Sequence, residues 1–361
     1  MNSESDNAND AATIPRVAIG LPVYNGEKYL AEAIESVLGQ TCADFQLVIS
    51  DNASTDATQE ICREFAARDR RVRYARAEQN RGAAWNFNRT FELSDGEYFK
   101  WLAHDDVIGP RYLERALDVM DRDSSLVLCH SRTGIVDGRG ELIADPGSDD
   151  PKVWELQGIS QEMEGKRLEM GRSAHAYRRY LGILLYSIRN HEVFGVIRRS
   201  VMRTTALHRA YRGGEKVFLS ELSLRGAFHE IPEVLSFSRW HDDRFSSNAS
   251  ARAQNLHVNP KLSRRLALPR QFRATGGYFG AVARSDLNVA QRAGCLLALL
   301  RFVLQVKKWK TVAADYLGGA GQLAKLPESP SAEAKQSSNK RHWTSLNRVS
   351  AASVARGRPT V

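Results

Sequence analysis

Apolar and polar positions follow two alternating periods along the first 145 residues. Short unbroken apolar runs, Val17 to Leu21 and Phe45 to Ile49, have the form of strands buried on both faces. Between them Leu30, Ile34, Val37 and Leu38 recur at helical spacing. A strand, a helix and a strand make a βαβ unit, which lays its two strands side by side with both ends on one sheet edge. The alternation continues. Asp56 and Gln59 read as a capping box that opens a helix with Ile61 and Phe65 inward. Val72 to Ala75 reads as a strand, Ala84, Phe87 and Phe91 as a helix face, and Tyr98 to Leu102 as a strand. Pro110 fits the first turn of a helix whose buried face is Leu113, Leu117 and Met120. Leu126 to Cys129 is a further strand, and Asp137-Gly138 has hairpin chemistry.

The second half is less regular. Residues 145–172, rich in Asp, Gly, Glu and Lys, read as one long mobile loop. Tyr177, Tyr180, Leu181, Leu184, Leu185 and Ile188 predict a helix, and Val193 to Ile197 a strand. Glu215 to Leu224 predicts a helix with Phe218 and Leu222 inward and Glu221 solvated, and Ile231 to Phe237 predicts a strand. Ala293 to Val306, interrupted by Arg301 and followed by Lys307-Lys308-Trp309-Lys310, falls short of the roughly 20 apolar residues of a membrane span. It fits a helix lying at a membrane surface and, equally, a buried helix of a second domain.

Composition adds bounds. With 361 residues, 42% hydrophobic and 26% charged, the chain can bury a sizeable core. Cys42, Cys62, Cys129 and Cys295 are scattered without a CxxC, which suits a reduced cytoplasmic protein lacking zinc site and disulfides. Met1 to Ala12 is polar and lacks the features of a secretory signal. The net charge of +9 favours anionic partners. No nucleic-acid-binding motif accompanies it, so nucleic acid is not an expected partner. Beyond Leu326 the chain reads as a disordered basic tail, able to hold the protein peripherally on anionic lipid at about 1 kcal/mol per charge near the surface.

Candidate chemistry sits where the strands end. The first run passes into Leu21-Pro22-Val23-Tyr24-Asn25-Gly26, the second into Ser50-Asp51-Asn52-Ala53-Ser54-Thr55-Asp56. Ligands of open α/β sheets bind outside the carboxyl ends of the strands, so Tyr24 and Asp51 are expected in one crevice. A ring beside a carboxylate suits a nucleoside base: the ring stacks on its face and the carboxylate accepts from its N–H groups. These segments, with Asn80-Arg81-Gly82, Gly96-Glu97-Tyr98 and Ala103-His104-Asp105-Asp106 with Pro110 behind it, resemble the family 2 glycosyltransferases of the GT-A fold. They come in the family's order across about the first third of the chain.

The resemblance implies an α/β fold with a central, mostly parallel sheet flanked by helices, and a helical C-terminal extension. It divides the chain into a lead-in (1–13), a nucleotide-sugar-binding half (14–145), an acceptor-binding half (146–250), a helical region (251–325) and a tail (326–361). It implies inverting transfer of a sugar from a nucleoside diphosphate sugar to a glycan or lipid-linked acceptor, in surface polysaccharide synthesis at the cytoplasmic face of a bacterial membrane. Pro22, Tyr24, Asn25, Asp51, Arg81 and Asp105 are the implied nucleotide contacts. Asp105, then Asp106, are the implied ligands of Mg²⁺ or Mn²⁺, with His241 after Arg239-Trp240 closing on the diphosphate or the metal; His104 is a spacer. Hard cations want carboxylate oxygens, and a cation on the diphosphate stabilises the leaving group.

Two positions depart from the family pattern. The usual acidic motif is Asp-any-Asp-Asp, and Ala103 replaces its first carboxylate. In Gly213 to Leu222, which resembles the region carrying the catalytic base, Glu215 stands where Asp is more usual. Glu215 is the implied base that takes the acceptor hydroxyl's proton. Ser236 to Trp240 only partly matches the Gln-any-any-Arg-Trp signature of processive synthases, and without the Gln or membrane spans polymer synthesis is rejected. Ala103 leaves open a non-catalytic nucleotide-sugar-binding protein. A nucleotidyltransferase would want a Gly-rich basic loop after the first strand, which Pro22 to Glu27 lacks.

Overall fold

The computed structural model describes residues 14–144, 160–241, 256–260 and 270–305. The predicted disordered ends and most of the 145–172 segment lie outside these residues. The chain alternates as expected through β1 (Val17–Val23), α1 (Leu30–Leu38), β2 (Phe45–Asp51), α2 (Thr58–Arg68), β3 (Val72–Arg76), α3 (Ala83–Glu92) and β4 (Tyr98–Trp101). β5 (Val107–Ile108), α4 (Tyr112–Arg122), β6 (Leu126–Val136) and β7 (Leu142–Ala144) follow. The second half contributes α5 (Gln161–Gly171), α6 (Ala176–Tyr186), a 3-10 turn (His191–Phe194), β8 (Val196–Arg198), α7 (Arg199–Met202), α8 (Gly214–Ser223) and β9 (Ala227–Arg239). The helical C-terminal part is α9 (Arg270–Arg284) and α10 (Val289–Val303).

These strands form one sheet in the order β3-β2-β1-β4-β8-β6-β9-β5, with β7 on β6. β3, β2, β1 and β4 run parallel, as do β6 and β9; β8, β5 and β7 pair antiparallel. Alternate residues of β1 explain its unbroken apolar run. Val17, Ile19, Leu21 and Val23 face α1 and α4, and Ala18 faces the core on the side of α3. α3 comes so close that a Cβ at Gly20 would lie 2.3 Å from Thr90 Oγ1, so only glycine fits there. A third apolar cluster joins α6, α8, α9 and α10.

Several expectations are corrected. Asp56 and Gln59 form no capping box: Ala57 is the N-cap of α2, and Asp56, one residue before it, accepts from the backbone N–H groups of Thr58 and of Glu27. Of the supposed loop 145–172, residues 161–171 are α5, capped by Ser160 and laced by Lys166–Glu162 and Arg167–Glu164 ion pairs. Val193 to Ile197 divides between the 3-10 turn and β8. Glu221 is buried, not solvated, and pairs with Arg225 at 3.1 Å and Arg284 at 2.9 Å, tying α8 to α9.

His208, before α8, packs against Phe87, Trp101 and Phe218 with ring centroids 4.9, 4.7 and 5.8 Å away. Its Nε2 has no hydrogen-bond partner among the described residues, and burial pushes its pKa down to about 4. The folded protein therefore holds His208 neutral where the unfolded chain, at about 6.5, takes up a proton. Stability is expected to fall by ~3 kcal/mol as pH drops from about 6.5 to 4 on this account. Urea unfolding of wild type and His208→Phe across that range checks it: the variant should lose that part of the slope, and identical slopes would refute the assignment.

Candidate active site

β1 and β2 end in register, with Val23 opposite Asp51, and their following loops are stitched together. The Asn25 N–H donates to Ser54 Oγ at 2.9 Å, and Asn25 Oδ1 accepts from the Thr55 N–H at 2.9 Å. Gly26 N–H donates to Thr58 Oγ1 at 2.8 Å, and Glu27 and Asp56–Ala57 exchange hydrogen bonds at 3.1 and 2.9 Å. Asn25 and Ala53 adopt left-handed backbone, φ 51° and 65°. Much of the two sequence motifs thus fixes loop shape, leaving Tyr24 half-buried at the mouth. Pro22 is buried in β1 opposite Ser50.

Asp51 is wholly buried. Oδ1 accepts from the Ser54 N–H at 2.8 Å; Oδ2 accepts from Tyr74 OH at 2.8 Å and Arg76 Nε at 3.2 Å. A carboxylate offers about four acceptor directions, so these partners leave room for about one more donor. Burial and the Asp51 carboxylate push the Tyr74 phenol up, keeping it a donor. Neither Tyr74 nor Arg76 stood out in the sequence. Arg81 is exposed, held where Asn52 accepts from its N–H at 3.0 Å, and its guanidinium lies 4.4 Å from the Trp85 ring centre. Arg89 stacks on the same ring at 5.2 Å. Cations therefore gather beside the ends of β2 and β3.

The acidic loop after β4 is gripped from β9. The Arg239 N–H donates to Asp106 Oδ1 at 2.9 Å, and Arg239 Nε donates to the Asp105 carbonyl at 3.0 Å. The guanidinium, 1% exposed, also pairs with Glu32 at 2.6 Å and stacks on Tyr29 at 4.7 Å. Two residues on, His241 Nε2 lies 3.2 Å from Asp105 Oδ2, its ring 4.7 Å from Tyr29. His241 Nδ1 is buried without a hydrogen-bond partner among the described residues. His104 packs on Gly26, where a Cβ would lie 2.8 Å from its ring.

Asp105 and His241 thus share one point of the sheet edge, whereas Asp106 is turned to the β9 backbone. Among the described residues no three His, Cys, Asp or Glu side chains gather as a metal cage. An oxygen and an imidazole nitrogen still suit a cation that takes its remaining ligands from a diphosphate, as Mg²⁺ commonly does. Glu215 lies half-buried in the first turn of α8, after Gly213 at φ 91°, and its charge reaches Tyr211. Lys216 of the same turn donates to the Ser187 carbonyl at 2.5 Å.

A solvent-open cleft is lined by Arg132, Thr133, Tyr186, Arg189 and His191 among others. Arg189 stacks on Trp240 at 4.9 Å, so one wall of the cleft borders the His241 segment. Its floor is an ion-pair network in which Arg167 binds Glu164, Glu192 at 2.9 Å and Glu230 at 2.6 Å.

Residues 18–180 match the family model Glycosyl transferase family 2. That segment, just under half of the chain, is similar to glycosyltransferase family 2. It is 35% identical over 132 residues to chondroitin synthase of Escherichia coli, covering 37% of this chain and 19% of that one. It is 33% identical over 113 residues to glycosyltransferase GlyG of Streptococcus pneumoniae serotype 4, covering 31% and 38%. The chain thus spans less than half the length of these two relatives. Residues 1–349 of S. aureus TarS in complex with UDP superpose over 84% of this chain and 75% of that one, with a TM-score of 0.56 and 15% identity. That likeness shows the fold, which is GT-A as the family resemblance implied.

Proposed function

We propose that the protein transfers a sugar, with inversion, from a nucleoside diphosphate sugar to a glycan or lipid-linked acceptor in surface polysaccharide synthesis. The observation that carries this reading is the Asp105–His241 pair at the carboxyl edge of the sheet, 3.2 Å apart, in a chain whose residues 18–180 match that family. TarS was solved with UDP and with UDP-GlcNAc, which supports a donor of that class here. In this reading Tyr24 stacks on the base and Asp51, with one acceptor direction left, takes a base N–H. Asn25 keeps the loop shaped, and Arg81 reaches the phosphates from its Trp85 stack. Asp105 and His241 would hold Mg²⁺ or Mn²⁺, which neutralises charge on the departing diphosphate when bound. Arg239 keeps Asp105 in place, and Asp106 anchors the loop. Glu215 accepts the proton of the acceptor hydroxyl. The acceptor enters over the solvent-open cleft, whose side chains offer both donors and acceptors to hydroxyls.

Ala103, in place of the acidic motif's first carboxylate, favours one rival, a nucleotide-sugar-binding protein without turnover. Thermal shift with UDP, GDP, dTDP and CMP, each with and without Mn²⁺, tests the donor site, because a ligand of the folded state alone must raise Tm. One nucleotide is expected to raise Tm by several degrees only with Mn²⁺. No response to any of them would sink the proposal, and binding without sugar release to any acceptor or water would favour the rival.

A further inference from the structure

The α9–α10 hairpin buries one side and bares the other. Tyr278, Ala281 and Val282 of α9 and Cys295, Leu299 and Phe302 of α10 pack into the cluster with α6 and α8. On the opposite side Phe272 and Phe279 are 52% and 57% exposed, and Leu297, Leu300 and Leu304 are 66%, 53% and 67% exposed. Each set recurs at helical spacing, so each helix carries an apolar stripe where a surface helix normally carries charge. The sequence left α10 as either a core helix or one lying at a membrane surface; one of its faces is buried and the other exposed.

Charge is distributed to match. Residues 1–269 hold 36 Lys and Arg against 38 Asp and Glu, so the whole basic excess lies beyond them. Residues 270–310 hold eight Lys and Arg and a single acid, Asp286. Lys307-Lys308-Trp309-Lys310 follows directly on α10. Among the described residues no helix is long and apolar enough to cross a membrane.

We infer that the outer face of the α9–α10 hairpin docks on an anionic lipid bilayer. The Phe and Leu stripes enter the boundary between headgroups and acyl chains, and Arg273, Arg292 and Arg301 of the same helices meet lipid phosphates. A second copy of the chain is a poorer occupant, because it would set one basic rim against another. The contact stands on this face alone and is independent of the transfer reading. If both hold, α8 and Glu215 lie one helix layer from the lipid, where a lipid-linked acceptor would be presented.

The test is co-sedimentation of the full chain with phosphatidylcholine vesicles, with and without phosphatidylglycerol, at physiological salt. Binding is expected only with phosphatidylglycerol, and Leu297→Asp with Leu300→Asp is expected to weaken it at least about tenfold. Both positions face solvent, so Tm and any nucleotide response should be unchanged in the variant. Failure to bind the anionic vesicles, or equal binding by the variant, would overturn the inference. So would light scattering that shows a dimer dissolved by the two substitutions. Loss of nucleotide response with vesicle binding intact would instead strike only the transfer reading.

Discussion

Asp105→Ala is expected to lower Mn²⁺-dependent sugar transfer ~10³-fold while leaving the fold intact. Asp105 Oδ2 faces His241 Nε2 at 3.2 Å, whereas its backbone carbonyl, which the substitution keeps, is what Arg239 holds. The substitution therefore keeps the backbone contact through which Arg239 holds the loop. A cation stabilising a leaving diphosphate contributes several kcal/mol, and each 1.36 kcal/mol is tenfold in rate. The measurement is donor turnover with a metal titration, beside Tm without nucleotide. Retained turnover at saturating Mn²⁺ would remove Asp105 from the metal site. A large loss of Tm would mean that the side chain is structural.

Glu215→Gln gives the contrasting outcome. It keeps shape and removes the base, so turnover should fall by at least ~10²-fold with the metal-dependent nucleotide response unchanged. If the nucleotide response fell too, Glu215 would belong to the donor site or to the packing around Tyr211.

The parts of this fold legible in the sequence are those where apolar spacing carries the information. β1, β2 and the helices between them are marked by unbroken or periodic Leu, Ile and Val, and their ends by turn residues. Those same turn residues carry more than the sequence shows. Asn25, Ser54, Thr55 and Asp56 make hydrogen bonds that join the two loops to each other. α5 was illegible because its inward residue is Arg167, held by three glutamates, so a buried face reads as a charged loop. Glu221 was hidden in the same way by Arg225 and Arg284. At the site, the sequence pointed to Asp105 and His241 separately, 136 residues apart; only the pairing of β5 with β9 brings them together. Asp106 reads as the second metal ligand, and the structure adds a contact the sequence does not show, the β9 backbone N–H that its Oδ1 accepts from.

The same β9 anchor yields the largest stability effect. Arg239→Met is expected to cost about 3 kcal/mol, because removing one partner of a buried ion pair leaves the other without compensation. Glu32 would lose its 2.6 Å partner, and the carbonyls of Asp105 and Asp137 would lose donors at 3.0 and 3.3 Å. Met retains much of the volume and the contact with Tyr29, so the loss is chiefly polar. Adding Glu32→Gln should recover part of it by removing the stranded charge, and urea unfolding of the two variants measures both steps. The functional arm is separate. With the Asp105 carbonyl released, the carboxylate is no longer held against His241, and the Mn²⁺-dependent nucleotide shift should shrink even well below the variant's Tm. A variant that is destabilised yet keeps the full Mn²⁺ response would show that Arg239 supports the sheet alone. Unchanged stability would show that the buried guanidinium is compensated by something other than Glu32.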